Sequence, residues 1–517
     1  MTMFLLFSSG YNTYSAISAP EAAKTNGEIA LTIDFNGVKT SYTHETLFNE
    51  QFSLSIPSEI VEPTNSSENL FTAAALADFL PLILDLWEFT VSDTSGNVYN
   101  LLQSWSADFL FETYLYLTEN GISLVHRTMS VNQIETITLK GDKLAEKPLD
   151  VWLSWEGTNQ LKQIIADFAR KYGVKIETNV IPGIDTKLAA HHRGNMKIPD
   201  VVMIQSDYLP KLIAEQALQP VVWKLSDVYQ PRGVEAFTST QLYAVPFYSD
   251  VQIICWNPEI IDHPYGNTDN DVSGTLEMME NNLAAVPASY TPAVWNIYSA
   301  YWLLPFQMGF GKSAILESDG SITVNDRATI DALTYLIHLL DTGLIGAVER
   351  DGMISQFIQG EVGMILTGSY ALPGFIDLGI PFNVAAYPVN QDNGAYVSPL
   401  IDYKGFSIPK KSRNPIAARR LIQYLTSPQV QAAFSFNNFK NPSRNDIWDL
   451  STIPDQISRV LQISISQGSV IPPEAAYKIS KDTMWKIIRL ILAKQLTPVD
   501  GLNKAQEIID NQLKRLR

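Results

Sequence analysis

The chain has 517 residues, 46% hydrophobic and 10% aromatic, with a formal net charge of −17. That length exceeds one ordinary domain, with about three expected, and the apolar share supports sizeable cores rather than disorder. The acidic balance, with a pI near 4.8, excludes a nucleic-acid partner, whose phosphates need a basic face.

The chain starts "MTMFLLFSSGYNTYSAISAPEAA", a short apolar core with small residues near Ala16 and Ala19 but no basic start. Residues 1–26 are therefore expected to be a leader or disordered start, an atypical or truncated export signal. From 27 to 147 a small mixed α+β domain is expected. "EIALTIDF" and "QFSLSI" alternate as half-buried strands do, and "WEFTVSDTSGNVYNLL" and "TYLYLTENGISLV" read as hairpins. Between them, "LFTAAALADFLPLILDLWEF" carries Asp78, Pro81 and Asp85, which predicts a buried helix rather than a membrane span. "GDKLAEKPLD" marks a boundary.

After Pro148 the pattern becomes strand, helix, strand. "LDVWLSW" is a strand, and "TNQLKQIIADFARKYG" sets Leu161, Ile164, Ile165, Phe168 and Tyr172 at helical spacing, with Gly173 as a C-terminal cap. "VKIETNVI" and "IPDVVMI" are strands, so a mainly parallel sheet is expected, with ligands beyond its carboxyl ends. Polar and aromatic residues gather at those ends: Trp155 and Glu156; Gln205, Ser206 and Asp207; Tyr248, Ser249 and Asp250.

The stretch "PFQMGFGKSAIL" ends like a phosphate-binding loop, but Phe306 stands where the first glycine of that motif belongs. It reads instead as a glycine-rich exit from a buried helix in "VWNIYSAYWLLPFQMGFG". Cys255, the sole cysteine, lies in the apolar run "VQIICWN" and excludes an internal disulfide. Among the six histidines only His191 and His192 are adjacent, and neighbours on a helix point to different sides. No structural metal and no cofactor are expected.

From about Leu149 to the end, the chain resembles the extracellular solute-binding proteins of ABC transporters, on the sugar-binding branch typified by maltose-binding protein. Pieces in the family's order carry the resemblance: "DVWLSWEG", "KIPDVVMIQSD", "LYAVPFYSDVQIICWNPEII", "TIDALTYLIHLLDTGLIG", "FIQGEVGMILTGSYAL", "YKGFSIPKKSRNPIAARRLIQYLTSPQVQAAF" and "MWKIIRLILAKQLTPVDGLNKAQEIIDNQL". It implies an α/β fold of the two-lobed periplasmic-binding-protein type (type II-like) with hinge strands. Residues 148–517 would form it, with lobe 1 about 148–250 and 400–445 and lobe 2 about 251–399 and 446–517. "PFYSDVQIICWN" resembles the first crossing between lobes and "NVAAYPVNQDNGAYVSPLIDYKGF" the return.

By the same resemblance the ligand-binding residues would be Trp155, Glu156, Asp207, Asp250, Tyr301, Trp302, Tyr370 and Trp485. Ile204 stands where the family has a ligand-facing aromatic and Ser299 where it has a glutamate. The physical logic is independent of the likeness. Sugar hydroxyls suit carboxylates and amides, and their C–H faces lie flat on aromatic rings. Asp207 is equally well read as a helix N-cap.

The expected function is capture of a mono- or oligosaccharide outside the cytoplasm, periplasmic or at the cell surface, and delivery to ABC permease subunits by a monomer that is not an enzyme. A glycoside hydrolase built on two carboxylates, or a surface sugar sensor or adhesin, are the alternatives. The N-terminal unit resembles small domains related to the sulfite-oxidase-type molybdopterin fold. The ligating cysteine of that fold is absent, so a docking or spacer module is expected. "KKSR" and "ARR" (Lys410–Arg413 and Ala418–Arg420) read as solvated surface.

Overall fold

The computed structural model describes residues 29–515, apart from 49–53, 58–69, 81–82, 102–109, 111–112, 119–120, 127–128, 144–147, 226, 267–273, 318, 449–450 and 473. The expected leader and the centre of the expected boundary segment lie outside the described residues. The chain divides into two compact units. One gathers Met1–Leu149, Ile164–Ile176 and Asn414–Val430; the other holds Asp150–Gln163, Glu177–Arg413 and Gln431–Arg517.

In the first unit, two five-stranded sheets dominate. One runs Val38–Tyr42, Leu31–Phe35, Ile134–Lys143, Ile83–Asp93, Val98–Asn100; the other runs Leu54–Pro57, Leu70–Ala75, Tyr114–Thr118, Gly121–His126, Met129–Val131. Alternation sets the burial: Leu31, Ile33 and Phe35 face inward with Phe89, Val91, Ile137 and Leu139. Both expected hairpins form, and the carboxylate of Asp93 accepts the backbone N–H groups of Ser95 and Asn97 at 2.9 Å to fix the first turn. The buried helix expected in "LFTAAALADFLPLILDLWEF" does not form. Strands Leu70–Ala75 and Ile83–Asp93 occupy it, separated by a short 3-10 turn. Pro81 forbids a continuous helix there, and an apolar run of that length is divided between two strands. The same unit includes the end of helix Thr158–Tyr172, where the Tyr172 hydroxyl donates to the Ala77 carbonyl at 3.2 Å and Phe168 packs on Tyr424.

The second unit is built on an eleven-stranded sheet. Strands Leu149–Leu153 and Val201–Gln205 pair in parallel, as do Thr291–Trp295, Ile345–Ala347 and Val362–Gly368. Two antiparallel strands join these halves. Val245–Trp256, buried along its whole length, pairs through Val251 with Leu400–Ser407 and from Gln252 onward with Val362–Gly368. The expected crossing is therefore one strand that belongs to both halves. Helix Thr158–Tyr172 forms as its spacing predicts and ends at Gly173, whose φ of +67° suits glycine.

The predicted exit helix is shorter than its sequence: Ala300–Gly309, preceded by strand Thr291–Trp295. Pro305 lies inside it. A proline has no N–H for the carbonyl four residues back, here Tyr301, and that carbonyl accepts the Gln252 side-chain amide at 2.9 Å instead. The other end of the same amide accepts the Leu400 N–H at 2.8 Å. One buried side chain thus ties the crossing strand, the return strand and the helix together. Among the described residues no helix is long and apolar enough to cross a membrane, and no group of His, Cys, Asp and Glu could hold a metal ion.

Candidate functional site

A cleft of about 760 Å3 opens in the second unit where these strands and helices converge. One wall comes from the loops after the parallel strands Leu149–Leu153 and Val201–Gln205. Trp155 adopts φ +65°, uncommon for any residue but glycine and held only where surroundings impose it. The turn sets its indole 6.0 Å from the Tyr208 ring, the two planes tilted by 32°. Gly157 follows with φ +75°, and a Cβ there would meet Phe434 at 2.7 Å. The facing wall carries Tyr301, Arg350, Tyr370 and Trp485. The Arg350 guanidinium lies 4.6 Å over the Tyr370 ring, and that of Arg489 lies 3.8 Å over Trp485. A second hollow of about 600 Å3 adjoins the first and shares Trp155, Glu156, Arg350 and Tyr370 with it.

A charged network forms the floor. Asp250 accepts from Lys404 at 2.8 Å, Lys440 at 2.6 Å and the Ser369 hydroxyl at 2.8 Å. Lys404 also binds Asp402, and Lys440 lies 3.7 Å from Glu156. Two carboxylates thus share Lys404, and of the two only Asp250 has further donors among the described residues. Burial opposes the charge of both, but the two lysines hold the Asp250 carboxyl well below the usual range. Asp402 is pushed up to about 6, chiefly by burial, with the negative charge of Asp250 adding to it against Lys404. Both lysines also lie against the Tyr248 ring, at 5.7 and 5.4 Å.

A family model for bacterial extracellular solute-binding proteins matches residues 163–439, more than half of the chain. The chain belongs to that family. Among its relatives, the galactooligosaccharide-binding protein of Bacillus subtilis is 21% identical over 54% of this chain and 68% of its own. A maltooligosaccharide ABC transporter solute-binding lipoprotein of Streptococcus pneumoniae is 22% identical over 56% and 73%. The GacH receptor of Streptomyces glaucescens, solved free and with acarbose, superposes with a TM-score of 0.65 at 18% identity, over 72% of this chain and 99% of that one. The maltose-maltodextrin binding protein of Alicyclobacillus acidocaldarius gives 0.63 at 19%, over 70% and 100%. These solved structures show the fold, two α/β lobes with strands crossing between them.

In this solute-binding protein, seven of the eight residues singled out from the sequence border the cleft: Trp155, Glu156, Asp250, Tyr301, Trp302, Tyr370 and Trp485. Their presentation differs. Trp302 is 4% exposed and packs edge-on against Tyr301 as part of the core. Asp250 is 2% exposed, and its three donors make it an internal anchor. Asp207 is not in the lining. It sits 3.5 Å from Lys481, and burial raises its carboxyl above the usual range. It caps no helix, because the helix at Leu209–Ala214 starts on Tyr208 without a side-chain cap.

Sequence reasoning passed over Tyr208, Arg350, Asp402, Lys404, Lys440 and Lys481. For Asp402 and Lys404 the signal was present. Opposite charges two apart in the apolar strand "LIDYKGFS" share one face and predict an internal pair.

Proposed function

We propose that this chain captures a carbohydrate, a mono- or oligosaccharide, in the cleft outside the cytoplasm and passes it to the permease of an ABC importer. The observation that carries the reading is the pairing of aromatic faces with polar edges on opposed walls, Trp155 and Tyr208 against Tyr301, Tyr370 and Trp485. Rigid rings meet the C–H faces of a sugar at little entropic cost, while Glu156, Gln205 and Asn296 supply hydroxyl partners. The named binding functions of the galacto- and maltooligosaccharide relatives point the same way. Trp155, Glu156, Tyr301, Tyr370 and Trp485 are proposed to touch the ligand, with Asp250 holding the floor. Residues 148–517 are the proposed solute-binding part, and residues 27–147 an accessory domain.

A hydrolase reading has one observation in its favour: an ionised Asp250 beside an Asp402 raised to about 6 is the acid-and-base combination of glycosidases. Asp250 is saturated by its donors, which leaves it a poor nucleophile or base. The test is calorimetric titration of the pure protein with a panel of neutral oligosaccharides, followed by chromatography of the mixture. Binding near micromolar, about −8 kcal/mol, with the sugar recovered intact is expected. Steady cleavage would decide for the hydrolase.

A further inference from the structure

Most of the charges that line the cleft have a partner within ion-pair distance. Glu156 is met by Lys440, Asp250 by Lys404 and Lys440, Asp402 by Lys404, and Asp482 by Lys478 at 3.9 Å. Lys481 is met by Asp207. Two cations in the lining, Arg350 and Lys486, have no anionic partner among the described residues. Arg350 is also the better placed. Its exposed guanidinium lies 4.6 Å over the Tyr370 ring. It stands on the wall shared by the two hollows.

The backbone around it adds to the positive field. Arg350 opens the nine-residue helix Arg350–Ile358, whose N-cap Glu349 makes no side-chain cap. The Glu349 carboxylate is instead engaged by the Asn296 amide at 3.2 Å and by Arg489. Within the first turn of that helix the acidic residue is the exposed Asp351.

We infer that the cleft takes an anionic oligosaccharide, its carboxylate or sulfate ester seated on Arg350 at the junction of the two hollows, with Lys486 as a second, more distant countercharge. This rests on the carbohydrate reading and narrows it. A neutral sugar satisfies the aromatic faces but leaves a stacked, unpaired guanidinium in the binding cleft. A planar carboxylate accepts two parallel N–H bonds from it, and a sulfate ester can do the same.

The test titrates the full chain with maltotriose, trigalacturonate and a sulfated maltotriose, at low and at raised salt, alongside R350Q, R350K and K486Q. The expected result is that one of the acidic sugars binds more tightly than maltotriose and weakens with salt. R350Q should lower the affinity for it by roughly ten- to a hundredfold, R350K should restore it in part, and the loss for maltotriose should be clearly the smaller. Which acidic sugar binds separates the carboxylate from the sulfate source. If maltotriose binds as tightly, or R350Q weakens all three equally, the anionic site is wrong while the carbohydrate reading stands. If none of the three shifts the calorimetric baseline of the folded protein, both fall.

Discussion

Asp402 and Trp155 show how single side chains carry the cost of building this cleft. The folded Asp402 carboxyl holds its proton more tightly than an unfolded one, whose pKa is near ~3.9. Between that value and about 6, the folded chain therefore binds more protons than the unfolded chain, and stability falls as pH rises through this window. Its favourable contribution is complete below the window and lost above it. Asp402→Asn removes the titration, so the stability of the wild type relative to the variant should fall between pH 4 and pH 7 (roughly the span of the two pKa values). Urea midpoints at several pH values would measure it, and a constant difference would overturn the assignment. Trp155 is strained by its left-handed backbone. Trp155→Gly and Trp155→Ala should weaken sugar binding alike, since both lose the indole. The glycine variant should nevertheless be the more stable of the two by about 1 kcal/mol, because only glycine adopts that φ freely. The aromatic at this position was legible in the sequence; the backbone that aims it was not, because a positive φ leaves no mark on residue type unless glycine carries it.

The helix Ala300–Gly309 and the two crossing strands form one mechanical piece through Gln252. Gln252→Ala would leave the Leu400 N–H and the Tyr301 carbonyl without partners in a buried place, a loss of about 1–3 kcal/mol. Chemical denaturation would show it as a lower midpoint at an unchanged slope; full retention of the midpoint would mean that water replaces the amide. Beneath it, Lys440 is fully buried against Asp250. Lys440→Met strands that carboxylate with a single lysine and should cost about 3–5 kcal/mol. Much of this was readable. The helical spacing of residues 158–172 and both N-terminal hairpins follow from periodicity and turn residues. The strand Leu70–Ala75 and the start of Ile83–Asp93 were lost because a long apolar run carries no period. Lys440 was lost too, because its partner Asp250 is far away in the chain and no local pattern joins them.

Closure follows from the way one sheet spans the second unit. Val245–Trp256 and Leu400–Ser407 carry the sheet between its halves, so small changes in their dihedrals can swing the walls of the cleft. A ligand that touches Trp155 on one wall and Tyr370 on the other reaches all its partners only when they approach, and this differential affinity drives the motion. Cysteines introduced at the exposed Met196 and Leu378, carrying a donor and an acceptor dye, should show higher transfer efficiency with saturating sugar. No change, with binding shown by calorimetry, would refute hinge closure.

The buried thiol of Cys255 gives this protein a clock. Its strand is paired on both sides there, with Ile365 and with Val384, and burial pushes the thiol well above its ordinary range. A thiol reagent can reach it only after the crossing strand leaves the sheet, so the labelling rate of the untouched native chain counts those excursions. Ligand held across both walls should slow the count by the factor 1 + [L]/Kd. Time courses at graded sugar concentrations would then yield an affinity from a cysteine that never meets the ligand.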